Sequence, residues 1–302
     1  MQHDAVVIGG SYAGLSAAMQ IAHARRAVCV IDAGRPRNRF AEHSHGFFGQ
    51  DGASPLEAIA EARAKLTAYP DVTFLEGEAV TARRDDDGIF SIEMASGEAL
   101  RAIKLVLATG VEDVLPDIPG LTERWGRSVI HCPYCHGYEF GGRSFGVLNV
   151  APFSIHQALL IPDWGPTTFF LNGGDAPDNE SLRKLARRQI AVEPAAVVAV
   201  EGPMPDMAGL RLADGQLVEI DALFLGTRLK IGPLATQLGC AFDDGPFGPI
   251  IRVDTAKMTT APGVYAAGDG TRAQHNATFA SADGVLAGAS LHQALIFDSL
   301  AA

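Results

Sequence analysis

A chain of 302 residues with 47% apolar content can bury the cores of two ordinary domains. Its net charge of −11 disfavours nucleic-acid and anionic-membrane partners. No apolar run approaches the roughly 18 residues of a membrane span, and the first strand starts without the basic and apolar regions of a signal peptide, so a cytoplasmic protein is expected.

The predicted elements begin with a βαβ unit. Residues 4–10 (DAVVIGG) form a short apolar strand, residues 11–26 carry helical spacing, and residues 27–34 (AVCVIDAG) form a second buried strand. Residues 72–95 read as β-rich, with DDDG (85–88) as a hairpin turn rather than a calcium loop, whose alternating ligands are absent. LVLATG (105–110) is another buried strand, and VEDVLPDIPG (111–120) reads as a hinge. A second βαβ-like unit follows in RSFGVLNV (143–150), SIHQALLI (154–161) and TTFFLNGG (167–174). Residues 222–235 read as the return crossing, and the tail supplies one more strand, GVYAAGDG (263–270), and a closing helix. The predicted fold class is α/β, with two Rossmann-like, three-layer nucleotide-binding domains, the second inserted in the first. The expected boundaries are 1–114 with 231–302 for the outer domain and 118–227 for the inner one.

GGSYAG (9–14) lies between a strand and a helix, where a dinucleotide fingerprint belongs. Gly9 permits the tight turn, Gly14 permits close helix–strand packing, and Ser11 departs from the glycine pattern but is small. Asp32 ends the second strand, where an acid suits a ribose hydroxyl and opposes a 2′-phosphate. In HCPYCHG (131–137), Cys132 and Cys135 have the spacing of a reversible disulfide. Pro133 suits the first turn of a helix, and a thiol at a helix start has a stabilised thiolate. His136, and second to it His131, can act as acid and base near neutrality. Zinc would need further ligands at metal spacing, which Cys29, in an apolar run, and the isolated Cys240 do not supply; no metal is expected.

VVIGGSYAG, ATG, CPYC and GVYAAGDG together resemble the low-molecular-weight thioredoxin reductase family over nearly the whole chain. The resemblance implies FAD bound by the first and last segments and NADPH bound by the middle one. It carries FAD contacts to Gly9, Ser11, Tyr12, Ala13, Gly14, Asp32, Thr109, Gly110, Gly268 and Asp269. The family's Arg-Gln-Ala-Val tail motif corresponds here to His275, Asn276, Ala277 and Thr278, at a helix start that can stabilise charge on reduced flavin. It implies that Cys135 faces the flavin and Cys132 meets the substrate. His136 replaces the family's aspartate as proton carrier, and HSH (43–45) falls in a loop beside the flavin rather than in a metal site. A homodimer is implied as well.

The second glycine fingerprint is degraded. Asn149 and Ala151 stand at glycine positions, each adding a Cβ where backbone would approach phosphate. LNGG (171–174) lacks the arginines that bind a 2′-phosphate, and Arg183, Lys184, Arg187 and Arg188 read as a solvated helix face. Efficient use of NADPH is therefore doubtful. The main reading is a FAD-dependent dithiol/disulfide oxidoreductase acting on a thioredoxin-like protein or a small molecule, with its flavin reduced by a donor other than NADPH. A second reading is a dithiol oxidase with oxygen as acceptor, because HCPYCHG and the weak nicotinamide fingerprint also resemble the gliotoxin- and holomycin-type dithiol oxidases. A third is a non-enzymatic flavin-binding redox sensor.

Overall fold

The computed structural model of the chain describes residues 2–301. The opening unit is β1 (Gln2–Ile8), α1 (Tyr12–His23) and β2 (Val28–Asp32), and α2 (Pro55–Thr67) leads to β3 (Val72–Glu76). β1, β2 and β3 pair in parallel. β4 (Ala79–Arg84) and β5 (Phe90–Met94) form the expected hairpin across the DDDG turn, and β6 (Ala99–Leu107) returns to pair in parallel with β1. Alternation along these strands divides the core between the two sheet faces. Val6, Ile8, Cys29, Ile31, Leu105 and Leu107 face one way, and Ala5, Val7, Val28, Val30 and Val106 face the other, against α1. Each such Val, Leu or Ile contributes about 1.5–3 kcal/mol by its burial.

The predicted hinge contains a short strand, β7 (Glu112–Val114). Beyond it lie β8 (Val129–Ile130), the four-residue α3 (Pro133–His136), β9 (Phe145–Leu148), α4 (Ser154–Leu160), β10 (Thr167–Phe170), α5 (Asn179–Arg187) and β11 (Ala191–Glu193). An antiparallel meander follows, β12 (Val197–Glu201), β13 (Gly209–Leu212) and β14 (Leu217–Glu219), and then β15 (Ala222–Leu225). The second sheet runs β11-β10-β9-β15-β8 and is parallel throughout. Its central strands β9 and β15 are short, apolar and buried on both faces, as expected for a sheet covered on both sides.

β16 (Arg228–Lys230) leads the chain back and pairs antiparallel with β7, so the two crossings between the sheets form a ribbon rather than two loose linkers. After α6 (Leu234–Gln237) and the pair β17 (Phe242–Asp244) and β18 (Pro249–Ile251), β19 (Val264–Ala266) joins the first sheet beside β6. The first sheet thus draws strands from both ends of the chain, and the second from residues between them. α7 (Ala277–Ala301) closes the fold on α1, where Ala280, Ala287 and Leu291 pack with Ala13, Ala17 and Ile21. No described helix is long and apolar enough to cross a membrane.

Candidate active site

The first glycine turn is an open cradle. Gly9 has φ +120, and a Cβ there would sit 2.1 Å from the Ala108 carbonyl oxygen. A Cβ on Gly14 would sit 1.7 Å from the Gly9 carbonyl oxygen, so both glycines are required by close backbone approach. Ser11 is the N-cap residue of α1, yet among the described residues no side chain caps that helix. α2 and α5 differ, because Ser54 accepts from the Glu57 N–H and Asp178 from the Ser181 N–H. The first turn of α1 therefore keeps backbone donors that no side chain caps, the kind of donors a pyrophosphate can use.

The other predicted cofactor residues gather around this turn. Ala13 and Gly14 are buried in α1, and Tyr12 meets Phe47 edge-on with ring centroids 5.6 Å apart. Thr109 and Gly110 follow β6 next to Gly9, and Gly268 approaches so closely that a Cβ on it would lie 2.9 Å from that of Ala13. Asp32 ends β2 with one carboxylate oxygen accepting from the Gly34 N–H, and Arg63 stands 3.6 Å from the other. The Asn276 side chain is engaged locally, where its Oδ1 accepts from the Thr278 and Phe279 N–H groups and caps α7. Ala277 starts that helix, and the Thr278 hydroxyl donates to the Gly46 carbonyl. The start of α7 keeps its dipole, with the Thr278 and Phe279 N–H groups capped by Asn276.

Cys132 and Cys135 form a disulfide with Cα atoms 5.3 Å apart. Pro133 starts a helix, as its position suggests, and α3 is the single turn Pro133–His136 with Cys132 at its N-cap. The surrounding rings pack it. Trp164 lies against Gly137 and meets Tyr134 edge-on at 5.6 Å, and Trp125 lies 5.9 Å from His131. Tyr134 and Tyr138 project outward, 71% and 87% exposed. Gln157, buried on α4, donates from Nε2 to the His131 carbonyl at 2.8 Å.

The two candidate proton carriers differ. Burial lowers the His136 pKa, opposed by the charge of Glu139. His131 is lowered to about 3, first by burial and then by the charge of Arg37. Both shifts favour the neutral imidazole, and the shift to about 3 makes His131 a weak proton acceptor. His45 lies between Glu139 at 2.5 Å and Asp51 at 3.4 Å, so it clasps its loop to the disulfide segment. The described residues contain no cluster able to hold a metal ion. Cys29 and Cys240 carry free, buried thiols whose pKa values burial raises.

The second glycine turn is built differently. After β9, the Val150 and Ala151 N–H groups both donate to the buried Ser154 hydroxyl, at 3.1 and 3.2 Å. The donors that a phosphate would use are occupied from within. Asn172 in LNGG accepts from the Val197 N–H, which ties that segment to the meander. Arg183, Lys184, Arg187 and Arg188 are exposed on and just after α5, and Lys184 and Arg188 pair with Glu180 and Asp163.

Comparison with known proteins agrees with this geometry. The pyridine nucleotide-disulphide oxidoreductase family matches residues 3–145. Thioredoxin reductase tcpT of Claviceps purpurea (strain 20.1) is 34% identical over 98% of this chain and 95% of that protein. The chain belongs to the thioredoxin-reductase-like pyridine nucleotide-disulphide oxidoreductases. Two solved structures of similar proteins bear out the fold over full length. An oxidoreductase from Agrobacterium tumefaciens is 45% identical with a TM-score of 0.92, covering 98% of this chain and 99% of that one. HlmI is 33% identical with a TM-score of 0.93, covering 99% and 94%. This is an enzyme family with a flavin-dependent redox role, and the Cys132–Cys135 disulfide fits it. Sequence reasoning passed over several residues that shape the thioredoxin-reductase-like site: Arg37, Arg63, Asp113, Glu139, Ser154 and Gln157. Each acts through a partner distant in the chain or through a turn with no periodic signal.

Proposed function

We propose that the protein is a FAD-dependent dithiol oxidase: a dithiol substrate reduces the Cys132–Cys135 disulfide, and the electrons leave through the flavin to oxygen. The observation that supports the direction is Ser154, whose hydroxyl occupies backbone donors of the turn where the pyrophosphate of NADPH would bind. The cofactor assignment rests on Gly9, Gly14 and the uncapped start of α1, which fit a pyrophosphate, with Asp32 at the ribose position. Tyr12, Ala13, Thr109, Gly110, Gly268 and Asp269 complete the FAD cradle, and His275, Asn276, Ala277 and Thr278 form its tail edge. FAD, when bound there, takes up the electron pair of the reduced cysteines and can pass it to oxygen.

The protein's own groups manage the sulfur chemistry. A substrate thiolate attacks Cys132 Sγ, the Cys132–Cys135 bond breaks, and Cys135 departs as a thiolate. The second substrate thiolate then attacks the substrate sulfur of this mixed disulfide, closing the substrate disulfide and releasing Cys132. The two substrate thiols give up two protons in the process. His136, neutral because of its burial, is the group placed to accept them and return them to water. Exposed Tyr134 and Tyr138 offer apolar area beside the pair, which supports a small or partly apolar dithiol.

Anaerobic mixing tests this reading. A simple dithiol should bleach the flavin quickly, NADPH should bleach it slowly and without saturation, and air should restore the colour with consumption of oxygen. Rapid, saturable bleaching by NADPH would return the protein to the nicotinamide-driven reductases.

A further inference from the structure

Arg37 lies in the loop after β2, yet it bonds three residues in two separate parts of the molecule. Its Nε and Nη2 bond both oxygens of Asp113 at 2.8 and 2.7 Å, and its Nη1 reaches Asp269 Oδ2 at 3.1 Å and His275 Nδ1 at 3.0 Å. Asp113 lies on β7, the outward crossing between the sheets, and its Oδ1 also accepts from Thr227 Oγ1 at 2.6 Å, just before the return crossing β16. Asp269 and His275 belong to the tail at the cofactor cradle. The Arg37 and Asp113 side chains are 18% and 7% exposed, so this is a desolvated, bidentate pair that salt cannot readily screen. An arginine can only donate, so His275 Nδ1 accepts, and its Nε2–H donates to the Arg272 carbonyl at 3.0 Å.

The charge of the cluster also reaches the disulfide segment. After burial, the charge of Arg37 is the largest influence on His131, the residue preceding Cys132. One guanidinium thus joins the first sheet's loop, both crossings (the return one through Thr227) and the cofactor-side tail.

We infer that Arg37 is a positioning residue that fixes the disulfide-bearing half against the cofactor half, so that the Cys132–Cys135 pair stays in electron-transfer register with the flavin. The inference rests on the proposed dithiol-to-flavin path. It asks nothing of Arg37 in sulfur exchange, which needs only Cys132, Cys135 and a proton carrier.

The test uses the full-length holoenzyme and three variants, Arg37→Met, Arg37→Lys and Asp113→Asn; Asp113→Asn breaks the clasp without touching a cofactor residue. Flavin bleaching by dithiothreitol should slow at least tenfold in Arg37→Met and Asp113→Asn, and Arg37→Lys should recover part of the loss. Reduction of the disulfide by dithiothreitol, read by rapid quench and thiol labelling, should keep its wild-type rate. In a Cys132→Ser background, the long-wavelength band from Cys135 and oxidised flavin should weaken with the same substitutions. Hydrogen exchange at residues 111–118 and 226–230 should rise in each variant, and this readout stays valid even where the wild type shows no dithiol bleaching. Wild-type bleaching in Asp113→Asn with unchanged exchange at the crossings would overturn the inference. Should Arg37→Met fail to fold, Asp113→Asn and Thr227→Val decide it by the same readouts.

Discussion

Replacing Gly9 by alanine tests the cofactor cradle most directly. The Cβ would lie 2.1 Å from the Ala108 carbonyl oxygen, 2.7 Å from its carbon and 3.3 Å from the Thr109 nitrogen. All three are backbone atoms at the end of β6, so no side chain can swing away. Relief requires the ends of β1 and β6 to separate, which moves Thr109 and Gly110 off the cradle. Positive φ adds about 1–3 kcal/mol of strain. Loss of one charge-assisted backbone contact to pyrophosphate adds about 1.5–3 kcal/mol. The sum predicts FAD binding weakened by roughly 10²- to 10⁴-fold, at 1.4 kcal/mol per tenfold. Gly34→Ala is the control: its φ is +66, but a Cβ there meets nothing within 4 Å. It should bear only the strain and keep its flavin. The assay is the flavin-to-protein absorbance ratio after purification, followed by titration of the stripped protein with FAD. Wild-type FAD affinity in Gly9→Ala would refute the cradle, and equal losses in both variants would assign the effect to backbone strain alone.

Cys132→Ser should abolish turnover of a dithiol while retaining flavin, and full turnover in that variant would remove the pair from the mechanism. His136→Ala should lower turnover by roughly 10²-fold at unchanged flavin content; an unaltered pH–rate profile would reassign the proton to His131 or water. Stability should fall in acid. His131 is held near 3 in the fold against an ordinary value near 6.5, so the unfolded chain takes up a proton first, and stability declines as pH drops below about 6.5. The slope from this one group is at most about 1.4 kcal/mol per pH unit, and His131→Gln should flatten it in denaturant titrations across that range.

The sequence made the strands and the two turns legible because each relies on local signals. Buried parallel strands are continuous apolar runs, and glycine at a turn is a direct statement about backbone space. Three features resisted the same treatment. The hinge reading of residues 111–120 missed β7, because a three-residue strand takes its existence from its partner β16 and carries no periodicity of its own. Arg37 sits in RPRNRF, where three arginines look alike; only folding shows that Arg35 meets exposed Glu78 while Arg37 is drawn inward to Asp113 and Asp269. Asn276 stands at a position of the family's tail motif, and nothing in the sequence shows that its side chain also caps α7, a role that Asn fills at many helix starts.

The contrast between the two glycine turns is the physical root of the proposed direction. Both follow a buried parallel strand and precede a helix, so both began from the same architecture. In the first, α1 is twelve residues long, its start has no side-chain cap among the described residues, and the two glycines let backbone approach backbone. Such a site is costly without a ligand, because its N–H groups lose partners that a pyrophosphate restores. In the second, α4 is seven residues long and also has no side-chain cap among the described residues, but the Ser154 hydroxyl accepts from the Val150 and Ala151 N–H groups of the turn that precedes it. A nucleotide would have to displace the Ser154 hydroxyl and accommodate two added Cβ atoms, with no arginine in LNGG to offset that cost. The proposed direction follows from that contrast: with the second turn filled, the Cys132–Cys135 pair is the group through which a dithiol would supply the electrons.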